Sequence, residues 1–178
     1  MKLMECCAAA VQCKSFRDKD VPLPRVYDIL KTAAYAPEAA HADNLEFVVI
    51  RKKEARERIA EQCPRQSWIV QAPCMVIIVN DEAKAKTLYG DRASIYCTQT
   101  AGAAAYSIAL QAYELGLAAC WIRAFNDKAV ARIVQLPDKK TVEAIMLLGY
   151  PKEKQQRDNP ISVDKITFFE KYGSKEAD

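Results

Sequence analysis

The uncharged stretch from Ala93 to Tyr113 constrains the fold of this chain of 178 residues more than any other feature. Arg92 and Glu114 flank it, and alanine supplies much of its length. A helix that crosses a membrane needs about 20 predominantly apolar residues, whereas this stretch contains several hydroxyl and amide side chains. The pattern therefore predicts a long buried helix over 92–115, ended by Gly116, which favours the left-handed conformation found after many helices.

The remaining hydrophobic pattern alternates between helical and strand periods, which predicts an α+β chain with helices packed on a central sheet. Apolar residues three and four positions apart predict helices at 3–11, between Pro22 and Pro37, at 52–62 and at 127–136. Short apolar runs predict strands at 45–50, 74–79, 117–122 and 141–150. The continuous run at 74–79 is typical of a strand buried on both faces. The length suits a single domain, residues 1–178, in which 152–178 form an extended C-terminal tail.

The tail is polar except for four apolar side chains, Ile166, Phe168, Phe169 and Tyr172. We expect these side chains to be buried, either against their own domain or against a second subunit. The small side chains of 100–105 allow two helices to approach closely, and this crossing lies either between subunits or inside one chain.

Charge and cysteine content exclude several classes of protein. The 26 Lys and Arg residues exceed the 23 Asp and Glu residues by a net charge of only +3, too little for a concentrated nucleic-acid face. The basic run at 51–58 contains glutamates at helical spacing, which indicates a solvated helix face. Seven cysteines without a C-x-x-C pair indicate free thiols in a reducing cytoplasm, and no secretion signal opens the chain. With His41 as the single histidine, we predict no metal site.

An ordered series of short motifs resembles the nitroreductase family of FMN-dependent oxidoreductases over nearly the whole chain. The motifs are Phe16-x-Asp18-Lys19-x-Val21-Pro22, Ala33-Ala34-Tyr35-Ala36-Pro37, Glu46-Phe47-Val48-Val49-Ile50, Ala72-Pro73, Tyr89-Gly90-Asp91-Arg92, Glu114-Leu115-Gly116-Leu117, Cys120-Trp121-Ile122 and Leu148-Gly149-Tyr150-Pro151. The resemblance implies a nitroreductase-like α+β fold, with a central, mainly antiparallel sheet flanked by helices. It also implies a homodimer in which the C-terminal tail reaches the partner subunit and FMN lies at the interface.

The same resemblance implies hydride transfer from NADH or NADPH to FMN, and then to nitro compounds, quinones or similar small acceptors. The isoalloxazine ring of such a flavoprotein carries the redox chemistry, so no catalytic side chain is demanded. We therefore expect neither a membrane nor a nucleic acid as a partner.

The cofactor-binding residues that the resemblance implies depart from the family pattern. Where the family has Arg-Arg-Ser-x-Arg for the FMN phosphate, residues 10–14 include Gln12 and Lys14, and lysine lacks the bidentate fork of arginine. The stretch expected beside the ring's polar edge supplies Pro37, Glu38, His41 and Asp43, and a late basic position supplies Arg157. The strand end supplies Trp121, Ile122 and Arg123, and Arg123 stands where the family usually has glycine.

Several of these residues admit two interpretations. Arg123 either reaches a ligand phosphate or pairs with Glu38 or Asp43, and Lys14 is either a phosphate ligand or an ordinary loop lysine. Trp121 is either core or a stacking platform, and His41 either delivers protons or is an ordinary loop residue. Two functions stay open: an FMN-dependent NAD(P)H oxidoreductase, or a protein of the same fold that has lost FMN and acts as a dimeric module binding a small ligand.

Overall fold

A computed structural model of the chain describes residues 3–10, 13–38, 44–153 and 161–175. Its helices and strands lie close to the predicted ones, and four short helical segments are added. The α-helices are α1 Leu3–Ala9, α2 Leu23–Ala33, α3 Lys53–Ala60, α4 Glu82–Tyr89, α5 Ala93–Glu114, α6 Asp127–Ile133 and α7 Val163–Ile166. The strands are β1 Leu45–Ile50, β2 Cys74–Asp81, β3 Ala118–Ile122 and β4 Lys140–Gly149.

The four strands form one antiparallel sheet in the order β1-β2-β4-β3. The central strand β2 pairs with β1 through Leu45↔Asn80 and with β4 through Ile77↔Ile145. Its residues from Cys74 to Asn80 are all buried, which confirms the prediction of a strand covered on both faces. The predicted α+β class and the antiparallel sheet are therefore confirmed, and β1 and β3 form the two edges.

Helices cover both faces of this sheet because alternate side chains of each strand point to opposite faces. The first face packs against α2 and α5, and Ala101, Ala104 and Ala105 of α5 are buried there. The small side chains predicted at a helix crossing thus pack inside the monomer. The second face packs against α3 and α6, whose Ile59 and Val130 lie in the other core cluster.

Local signals at helix ends behave as the sequence predicts. Gly116 adopts a left-handed φ of 72° after α5, and the Asn126 side chain accepts a hydrogen bond from the backbone N–H of Ala129 at the start of α6. Helix α4 was not predicted; it begins where the Asp81 carboxylate accepts from the Lys84 N–H. Helix α7 and the 3-10 helices Ser67–Gln71 and Gly90–Arg92 were not predicted either, because they are too short for a periodic signal.

The described part of the tail contacts mainly itself. The rings of Phe168 and Tyr172 lie 4.6 Å apart, and Lys175 Nζ lies 4.1 Å from the centre of the Phe168 ring. Ile166 is 62% exposed and Tyr172 is 93% exposed, so the chain itself leaves these apolar side chains uncovered. Within the described residues, no helix combines the length and apolar character needed to cross a membrane.

Candidate functional site

The candidate site lies at the outer edge and carboxyl end of β3, where several of the predicted residues meet. The backbone N–H of Cys13 donates to the carbonyl oxygen of Ala119 at 3.1 Å. This bond holds the N-terminal segment against the free side of the edge strand. Lys14 therefore lies beside the strand that carries Trp121 and Arg123.

Arg123 lies on the ring of Trp121 directly after β3. Its guanidinium carbon is 4.2 Å from the centre of the indole ring, a cation–π contact. Arg123 is exposed and Trp121 is half-buried. Within the described ranges, Arg123 takes part in no ion pair and donates no hydrogen bond to the chain. The predicted pairing of Arg123 with Glu38 is not formed.

Lys14 lies on the second face of the sheet, where its Nζ is 5.9 Å from the centre of the Trp68 ring. Lys14 and Arg123 both act electrostatically on the thiol of Cys120. Burial, assisted by Cys13, raises the pKa of Cys120 to about 12, while Lys14 and Arg123 both act to lower it. Both cations therefore lie close enough to this one thiol of β3 to act on it. Trp68 was not identified from the sequence, where an isolated tryptophan in a loop gave no signal.

Helix α5 contacts both Trp121 and Pro37, the first of the predicted ring-edge residues. The Thr100 hydroxyl donates to the carbonyl oxygen of Pro37 at 3.4 Å. Two residues further along α5, a Cβ on Gly102 would lie 3.5 Å from Cη2 of Trp121. Gly102 thus borders the indole, a relation that becomes visible only once α5 and β3 are packed together.

Glu38 has a different partner from the predicted one. Its Oε2 accepts a hydrogen bond at 3.3 Å from the backbone N–H of Asn44, which begins the next described segment. Asn44 is in turn buried and bound to Cys97 in α5. The Glu38 carboxylate therefore binds the start of the next described segment and does not pair with Arg123.

The other predicted site residues fall into two groups. Ile122 belongs to the core cluster on the second face, so its side chain is buried away from Arg123 and only its backbone is available to a ligand. Four residues lie outside the described part of the chain: Gln12, His41, Asp43 and Arg157.

The side chains present fit a planar aromatic ligand with an anionic group. Lys14 and Arg123 supply two exposed cations with unused hydrogen-bond donors, and the indole of Trp121 supplies apolar surface. These properties suit FMN, which combines a planar ring with a phosphate monoester. Among the described residues, no three His, Cys, Asp or Glu side chains form a group that could hold a metal ion.

Comparisons with known proteins identify relatives over most of the chain. The model of the nitroreductase family matches residues 11–65 and 60–150. A provisionally named NADH dehydrogenase/NAD(P)H nitroreductase of Methanothermobacter thermautotrophicus is 25% identical over 170 residues, which are 93% of this chain and 86% of that protein. The structure of an FMN-dependent nitroreductase of Clostridium difficile R20291 matches with a TM-score of 0.78 at 26% identity. The match covers 91% of this chain and 95% of that chain.

A nitroreductase family protein of Streptococcus pneumoniae TIGR4 reaches a TM-score of 0.86 at 21% identity. The comparison covers 93% of this chain and 98% of that one. At this identity the likeness establishes the fold, and it agrees with the four-stranded sheet and its helices.

Proposed function

The chain belongs to the nitroreductase family, and we propose that it is an FMN-dependent oxidoreductase that uses NADH or NADPH. Its acceptors would be nitro compounds, quinones or similar small molecules. The observation that carries the proposal is the stacking of the exposed Arg123 on the half-buried Trp121 at the end of β3, with a second exposed cation, Lys14, in the segment that is hydrogen-bonded to the same strand. The names of the relatives, an NAD(P)H nitroreductase and an FMN-dependent nitroreductase, support the same chemistry.

We assign the phosphate of FMN to the N-terminal segment and the ring to the end of β3. Lys14, with Gln12 and Arg157, would bind the phosphate. The residues assigned to the ring are Pro37, Glu38, His41, Asp43, Trp121, Ile122 and Arg123. When bound, FMN would supply the hydride chemistry, because its isoalloxazine ring both accepts and releases a hydride.

The chain's own residues would bind and orient the cofactor. Lys14 is a flexible point charge, so it attracts a phosphate without fixing its orientation. Trp121 offers a rigid apolar surface, held against Gly102 of α5. Arg123 places a positive charge beside that surface and favours anionic groups there. No side chain is assigned a covalent or acid–base role.

We also propose a cytoplasmic homodimer. The uncovered apolar side chains of α1 and of the tail support a second subunit, because exposed apolar patches of this kind commonly mark interfaces. They are Leu3, Met4, Ile161, Val163, Ile166, Phe169 and Tyr172. The tail would then reach the partner subunit and bury its apolar side chains against it.

The spectrum and cofactor content of the purified protein test this function. The expected result is a yellow protein that absorbs in the flavin bands, releases FMN on denaturation and oxidises NADH or NADPH when a quinone such as menadione is added. A protein that binds no FMN even at low ionic strength would overturn the proposal. It would favour the alternative, a dimeric module for another small ligand.

A further inference from the structure

The hydrogen-bond donors of Arg123 are unused, although other arginines of the chain use theirs. Arg17 Nε donates to the Pro151 carbonyl oxygen at 2.9 Å, and Arg56 donates to the carbonyl oxygens of Arg51, Val70 and Ala72. Arg123 makes no bond of this kind within the described part of the chain. A guanidinium has five N–H donors, so Arg123 is available to bind an external acceptor group.

The position of this guanidinium is nevertheless restrained. It follows a strand paired over its whole length with β4, and it rests 4.2 Å above the indole of Trp121. Trp121 is itself held against α5 beside Gly102. A positioned guanidinium loses less conformational entropy on binding than a free one, and its planar fork matches the two oxygens of a carboxylate.

No carboxylate of the described residues forms an ion pair with this group. Glu38, a carboxylate of the predicted site, accepts a hydrogen bond from the Asn44 N–H instead. Lys14 adds a second cation near the same strand, because Lys14 and Arg123 both lower the pKa of the Cys120 thiol. A neutral or cationic ligand would leave the Arg123 donors without a partner, whereas an anion would satisfy them.

We propose that Arg123, held on Trp121, makes the site select acceptors that carry a carboxylate on a planar aromatic ring. This inference rests on the proposed oxidoreductase function and names the class of acceptor. The carboxylate would accept hydrogen bonds from the guanidinium, and the aromatic ring would cover apolar surface beside the indole. Arg123 thereby becomes the residue that determines acceptor specificity.

The reaction of a nitroaromatic probe measures this preference. In the first two-electron step, NAD(P)H supplies a hydride and the solvent supplies a proton. The nitro group loses one oxygen as water and becomes a nitroso group, while NAD(P)H becomes NAD(P)⁺. The matched probes are 4-nitrobenzoate and its uncharged methyl ester, assayed at saturating FMN, and the readout is the ratio of their kcat/KM values.

We expect wild-type protein to prefer the acid over the ester by about tenfold or more, because a hydrogen bond to a charged group corresponds to a factor of roughly ten to a hundred in affinity. Arg123→Gln should lower the acid-to-ester ratio by about the same factor, and Arg123→Lys should give an intermediate ratio. Arg51→Gln is the matched control. Arg51 is an exposed arginine after β1, at the opposite edge of the sheet, so its loss should leave the ratio unchanged.

Binding without turnover separates this inference from the proposed function. Trp68→Phe leaves Trp121 as the single tryptophan, and its fluorescence in the FMN-loaded protein reports binding of 4-nitrobenzoate when no NAD(P)H is present. We expect the acid to quench at lower concentration than the ester, and Arg123→Gln to abolish the difference. Equal turnover of both probes, or a ratio and quenching unaffected by Arg123→Gln, would overturn the inference. Failure to reduce either probe or menadione, with selective quenching retained, would instead overturn the proposed function.

Discussion

The side-chain amide of Asn44 donates a hydrogen bond to Sγ of Cys97 at 3.2 Å, and both side chains are buried. Cys97 belongs to α5, and its carbonyl oxygen accepts a second bond, at 2.7 Å, from the amide of Asn80 in β2. The carbonyl oxygen of Asn44 also accepts a hydrogen bond from the N–H of Asp81, the last residue of β2. One residue of α5 thus ties the start of β1 to the end of β2, and the Asn44 N–H also donates to Glu38 of the candidate site.

This shared contact predicts that Asn44 and Asn80 are energetically coupled. Asn44→Ala and Asn80→Ala should each lower the free energy of unfolding by about 1–3 kcal/mol, because each leaves buried polar groups without a partner. The double variant should lose less than the sum, since both residues act through Cys97. Urea unfolding of the wild type, the two single variants and the double variant measures this double-mutant cycle. Changes in the free energy of unfolding that add to within about 0.3 kcal/mol would contradict the coupling.

The sequence was sufficient to predict most of the fold because its hydrophobic periods are clear. The strand at 45–50 is found without a shift, and α5 spans Ala93–Glu114 against a predicted 92–115. Helix α4 could not be predicted because Ala85 is the only one of its eight residues that is buried, which leaves little amphipathic period, and α7 is a single turn. The pairing of β2 with β4, and not with β3, joins segments far apart in the sequence, and no local pattern encodes it.

The candidate site was predictable only in part. The motif series singled out Lys14 and the run from Trp121 to Arg123 as site residues, and the structure places Lys14 beside β3 and Arg123 on the ring of Trp121. It could not predict the partners. Trp68 meets Lys14 and Gly102 meets Trp121 only through tertiary contacts between distant segments, and Glu38 accepts from Asn44 instead of pairing with Arg123.

FMN binding should depend strongly on salt. A lysine at the phosphate position acts mainly by charge attraction, which mobile ions screen. Lys14→Gln should therefore weaken FMN binding by about tenfold at low ionic strength and reduce its salt dependence. Fluorescence titration with FMN at two salt concentrations measures both effects. Lys52→Gln, at an exposed lysine before α3, is the control, and tight binding that ignores salt would contradict Lys14 as the phosphate ligand.

The protein should be a homodimer in solution, and the tail should contribute to it. Truncation after Lys152 removes the exposed Ile166 and Tyr172, so it should shift the mass measured by light scattering towards that of the monomer at micromolar concentration. Ile166→Asp should weaken the dimer for the same reason. Gln135→Asp introduces the same charge at an exposed position after α6, outside the tail, and should leave the dimer intact. A full-length monomer would refute the dimer, and a truncated protein that stays dimeric would exclude the tail.

Stability should fall steeply in alkaline solution because several thiols are buried in the protonated form. Burial raises the pKa of Cys63 and of Cys74 from 9.0 to about 11, and that of Cys120 to about 12. The folded state therefore holds these protons more tightly than the unfolded state. Their stabilisation is complete below pH 9 and is lost as the pH rises towards 11, by up to about 1.4 kcal/mol per pH unit for each thiol.

Urea midpoints between pH 8 and 10.5 measure this loss, and Cys63→Ala should make it shallower. Val48→Ala is the control, since Val48 is half-buried and carries no titratable group, so it should leave the pH slope unchanged. Parallel pH dependence in wild type and Cys63→Ala would show that this thiol does not govern the alkaline transition.

Arg123→Gly restores the residue that the family usually has at this position and distinguishes two roles for the side chain. In the structure the guanidinium rests on Trp121 and has no carboxylate partner among the described residues, so its charge is available to the cofactor. We therefore expect the glycine variant to bind FMN about tenfold more weakly, because one charge-assisted interaction is lost. Tighter binding would mean that Arg123 fills the space of the ring and that its removal opens the pocket. Unchanged FMN affinity, measured by the same fluorescence titration, would place Arg123 outside the cofactor site.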